Sequence, residues 1–82
     1  MMSRTELVPM VSDEIEFALS RGVHGAYAAK AVVKRLGIPS LHRKEWALLL
    51  MGVMEGAYIN GASTPEQVAE AVAGWVIEQV AE

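Results

Sequence analysis

Three glycine stops cut this chain into four segments, and each segment is longer than a strand and spaced like a helix. Gly22 closes the first segment, Gly37-Ile38-Pro39 the second and Asn60-Gly61 the third. No apolar/polar alternation of useful length and no hairpin dipeptide competes with this reading. The spacing predicts helices near 9–21, 24–36, 41–59 and 65–81, so the fold class is all-α: one domain over 1–82, a bundle or irregular cluster of about four helices.

The individual signals have physical causes. Thr64-Pro65-Glu66-Gln67 supplies an N-cap hydroxyl, a proline at the first helical position and an amide at the third. Val68, Val72, Trp75, Val76 and Val80 then form one apolar stripe. Gly74 inside that helix costs about 1 kcal/mol relative to alanine, so a close packing contact is expected there. Pro9 reads as the first residue of the first helix, with Asp13, Glu14 and Glu16 behind it; Ser3 and Glu6 have the spacing of a capping box for an earlier turn. Ser40 reads as the cap of the third helix. The five aromatics and five methionines read as core.

The run Trp46–Met54 is apolar on every face, so the third helix is central or part of a subunit interface. Apolar residues make up 52% of only 82 residues, and mean hydropathy is +0.26. So short a chain hides a limited fraction of its surface. Self-association is therefore expected, with Leu49, Met51, Gly52, Met54, Gly56, Val72 and Trp75 as the candidate oligomer interface and the two glycines allowing close backbone approach.

Net charge is -3, but charge is sorted along the chain. Residues 17–44 carry six basic side chains and no acid; residues 45–82 carry six acids and no base. Lys30 and Lys34 are one helical turn apart, and His42, Arg43 and Lys44 crowd the start of the third helix, where the dipole already disfavours cations. An acid or anion there relieves both problems, either the acidic end of the fourth helix or a ligand. Lys30, Lys34, Arg35, His42, Arg43 and Lys44 are thus the candidate site for an anion or an acidic partner protein.

Several chemistries are excluded or disfavoured. Without cysteine there is no disulfide framework and no thiolate metal site. His24 and His42 have no metal-ligand spacing, and no nucleophile elbow or phosphate-cradling glycine loop is present. No run approaches the ~20 apolar residues of a membrane span, and no secretory leader is legible. Residues Lys34 to Lys44 match a helix-turn-helix only superficially: Val33 stands where a small residue is wanted, and Arg43 where an apolar anchor is wanted.

The expectation is therefore a cytoplasmic, non-catalytic interaction module without cofactors, of the inhibitor or adaptor type that phages and mobile elements encode. Its partners are a second copy of itself and an acidic protein. The competing reading is an anion, nucleotide or DNA-binding module built on the basic 30–44 segment.

Overall fold

The computed structural model describes residues 2–22 and 25–80. Among them lie four helices and no strand: α1 (Arg4–Ser20), α2 (Gly25–Arg35), α3 (Ser40–Ile59) and α4 (Pro65–Val80). The expected start of the second helix at His24 and end of the fourth at Ala81 lie outside the described residues.

Each helix end traces to a few side chains. At α4 the Gln67 N–H donates to Thr64 Oγ1 at 3.2 Å, and Gln67 Oε1 accepts from the Thr64 N–H at 3.3 Å, a reciprocal capping box. Pro65 takes the first helical position, where a missing N–H costs no bond. At the end of α2, Gly37 adopts φ 75° and donates to the Lys34 carbonyl at 3.1 Å, while the Ile38 N–H reaches the Val33 carbonyl at 3.4 Å. This double closure satisfies carbonyls the helix leaves orphaned, and only glycine reaches that φ without strain. Gly61 ends α3 with the same pair of bonds, to Tyr58 and from Ala62 to Ala57.

Two helix starts differ from the sequence reading. α1 begins at Arg4 and carries Pro9 inside it. Glu6 Oε1 accepts from both the Ser3 N–H, at 3.0 Å, and the Ser3 hydroxyl, at 3.1 Å, so the cap at Ser3 starts the whole helix. Pro9 removes the bond to the Thr5 carbonyl, but both residues are exposed and water can serve that oxygen. Buried Leu7, Met10 and Val11 hold the helix through the proline. At α3, Pro39 is the N-cap and Ser40 is already helical, with no side-chain cap. Arg43 acts instead: its Nε donates to the Ile38 carbonyl at 2.8 Å and ties the first turn of α3 to the end of α2.

The helices form a closed square. α1 lies against α2 and α4, α3 lies against α2 and α4, and the backbones of neither diagonal pair come close. Each connection is four or five residues, about 18 Å at full stretch, too short to return along a 20-residue, ~30 Å helix, so successive helices reverse direction. The bundle measures 30 × 21 × 20 Å. Its core is mostly valine and alanine. Leu7 and Val11, Val32 and Val33, Leu50, and Val68, Val72 and Val76 are fully buried, each burial contributing about 1.5–3 kcal/mol. Among the described residues no polar or charged side chain is buried.

Most aromatics are not core. Phe17 and Tyr27 are exposed and stack on each other at 5.9 Å, with the Arg21 guanidinium 4.9 Å from the Phe17 centroid. Tyr58 is exposed too. Trp46 and Trp75 are half-buried and meet edge to face at 5.4 Å between α3 and α4.

Candidate binding groove

On α2, Ala26, Lys30, Val33 and Lys34 recur at helical spacing; on α3, Ser40, Arg43, Lys44, Ala47, Leu48 and Met51 do the same. The fold turns these two faces toward each other and opens a groove of about 700 Å³ between them. Small Ala26 and Ala47 leave its depth, Val33, Leu48 and Met51 add apolar wall, and the four cations stand at the sides. Among the described residues, none of Lys30, Lys34, Arg43 and Lys44 has a carboxylate within ion-pair distance. Lys30, Lys34 and Lys44 thus remain available to an acidic ligand beside the apolar lining, while Arg43 already gives its Nε to the Ile38 carbonyl.

The other two basic candidates go elsewhere. Arg35 pairs with Glu14 of α1 at 3.2 Å, and His42 does not line the groove. The up-down topology does bring the end of α4 to the end of the bundle where α3 starts, but Glu78 forms no ion pair with Arg43 or Lys44. Glu82 lies outside the described residues.

The groove does not stop at Met51. Ala26 and Met51 also line a second cavity of about 450 Å³, bounded by Ile15, Ala18 and Leu19 of α1, Gly25 and Ala28 of α2, and Met54, Glu55 and Tyr58 of α3. It lies where α1, α2 and α3 border one another. The two spaces make one trough along α2 and α3, basic at the turn end and apolar at the other, with Glu55 as its acid.

α2 and α3 accordingly line the groove in opposite chain directions. The lining starts at Lys34 and Ser40 beside the turn and reaches Ala26 and Met51 together. A helix-turn-helix needs the two helices crossed, with the second presented outward. Here α3 packs on α2 and α4 through buried Ala47, Leu50 and Met54, while Ser40, His42, Arg43 and Lys44 in its first turn are exposed.

The expected oligomer residues do not form one surface. Val72 and Met54 are buried in the core of a single chain, and Trp75 is occupied by Trp46, because the valine stripe of α4 faces inward. Leu49 and Gly52 are exposed, while Met51 and Gly56 are half-buried. A Cβ on Gly52 or Gly56 meets nothing within 4 Å, so these glycines serve no close contact within the chain. Nor does Gly74, where a Cβ would meet Arg4 Nη1 at 3.5 Å, an ordinary contact.

Among the described residues no three His, Cys, Asp or Glu side chains gather as metal ligands would, and no helix is long and apolar enough to cross a membrane. Comparisons with protein-family models, curated proteins and solved structures find no match to this chain. The missed elements of the site were its apolar lining residues Ala26, Ala47 and Leu48. Their helical spacing is legible, but which helix they face is not.

Proposed function

We propose that this chain is a non-catalytic, self-associating binding module whose α2–α3 groove holds an acidic, apolar-faced helix of a partner protein. One observation carries the reading: four cations without an ion-pair partner among the described residues flank an apolar-floored groove of about 700 Å³. An amphipathic helix docks in such a groove through apolar residues on one face, here flanked by acids. Charge sets the orientation and rate of capture, and the apolar floor slows release. The adjoining cavity accepts a larger apolar side chain at the far end of the trough.

A helical peptide with leucines on one face and glutamates beside them tests this by anisotropy titration. Binding is expected to weaken with salt, and Lys34→Glu or Lys30→Glu is expected to weaken it about tenfold, the scale of ~1.4 kcal/mol. A lysine-for-glutamate peptide is expected not to bind. If duplex DNA binds at low salt while the acidic peptide does not, the protein-partner reading fails in favour of nucleic acid.

A further inference from the structure

The inner face of α3 packs on α2 and α4, and an apolar ridge remains on its outer face. Leu41 is 86% exposed, Ile59 84% and Leu48 60%. Gly52 is exposed with open space where a Cβ would stand. At about 100° per residue, these four positions fall close to one line down the helix. Their order is large, large, small, large, at intervals of seven, four and seven residues, with Glu45 and Glu55 in the gaps.

The ridge is complementary to itself about one point. Leu41 and Ile59 are centred on position 50, and so are Leu48 and Gly52. A two-fold axis at that height, perpendicular to the helix, sets Leu41 on Ile59 of a second copy and Leu48 on the second copy's Gly52. One register therefore satisfies both contacts, and an exposed leucine meets the gap a glycine leaves.

One charge pair fits the same register. Lys44 and Glu55 are eleven residues apart and lie within about 20° of each other, on one flank of α3. In an antiparallel two-fold pair, like flanks meet, so Lys44 faces Glu55 of the other copy, twice. Glu45 stands at the same height as Glu55 of the other copy, on the opposite flank, so each Glu55 meets one lysine and one glutamate. Parallel packing instead sets Leu48 on Leu48 and leaves Gly52 facing Gly52.

We infer that the chain dimerises through the outer ridge of α3, antiparallel, with its two-fold axis at position 50. This names the surface for the self-association proposed above; it shares Leu48 with the groove, and its test is read at Leu41 and Ile59, which do not line the groove. The contact is isologous, so it closes at two copies. A single helix pair is narrower than the about 800 Å² per partner of a standard interface, so the dimer is expected to dissociate on dilution.

Sedimentation equilibrium over a concentration series reads the association. Twice the chain mass is expected at high concentration. Leu41→Glu alone, or Ile59→Lys alone, is expected to give a monomer with unchanged helical content, since both positions are exposed. The two substitutions in one chain are expected to restore the dimer, because opposite charges then meet at both ends of the ridge. A wild type that stays monomeric, single variants that stay dimeric, or a double variant that stays monomeric would each overturn the proposal. Acidic-peptide binding by the single variants is read separately, so failure of the groove leaves this result standing.

Discussion

Arg35 of α2 gives Nη1 to Glu14 of α1 at 3.2 Å, while Lys34 beside it lines the groove on the other side of α2. Adjacent residues on a helix point about 100° apart, so one basic pair in the sequence serves two different surfaces. Arg35→Ala is expected to leave acidic-peptide affinity unchanged and to cost ~0–1 kcal/mol of stability, the scale of a partly exposed ion pair. Lys34→Ala is expected to do the reverse. Parallel denaturation and anisotropy titrations on the two variants check this; equal loss of affinity in both would place Arg35 in the site.

Gly74→Ala is expected to stabilise the protein by about 0.5–1 kcal/mol. The helical penalty of glycine is removed, and the new methyl only touches Arg4 at van der Waals distance. Gly56→Ala is expected to behave alike, with open space around it. Gly37→Ala is expected to destabilise, because its φ of 75° is unfavourable for a side chain. Thermal melts of the three variants read the signs directly.

Leu49 and Leu50 are neighbours with opposite environments, one half exposed and one fully buried. Leu50→Ala is expected to cost about 2–5 kcal/mol by leaving a cavity among the four helices. Leu49→Ala is expected to change stability by less than about 0.5 kcal/mol. Urea unfolding at a concentration where the chain is monomeric separates this from any effect on association.

The Ser3 N–H and hydroxyl, both donating to Glu6, hold its carboxyl below the usual carboxylate range. The cap therefore adds stability that is present above the ordinary glutamate pKa and is lost as pH falls through the lowered value. Glu6→Gln keeps an uncharged acceptor at the same place. The stability difference between wild type and Glu6→Gln is expected to be constant near neutral pH and to shift against the wild type on acidification below about pH 5. A difference that does not change with pH would mean that the Ser3 bonds add nothing.

The helix ends were the most legible part of the sequence, because caps and glycine turns are made by residues within five positions of one another. Thr64, Gln67, Gly37 and Gly61 act as their types require. Pro9 misled for a reason that is not local: burial of Leu7, Met10 and Val11 offsets one lost backbone bond, and those contacts come from other helices. The basic cluster was likewise visible as a list of residues but not as a site. Its division into four groove residues, one ion pair and one histidine outside the groove depends on which faces α2 and α3 turn toward each other.

Local sequence alone determined that there are four helices, where three of the turns fall and that charge is sorted along the chain. Those properties follow from backbone conformation and short-range hydrogen bonds. Only the tertiary structure decided that valine and alanine fill the core while Leu41, Leu48, Ile59 and Tyr58 stay outside, and that α1 and α3 leave a cavity between them. Packing four helices in a square gives each one two inward neighbours and an outer face. A side chain's spacing places it on a face, but the neighbours decide whether that face is buried.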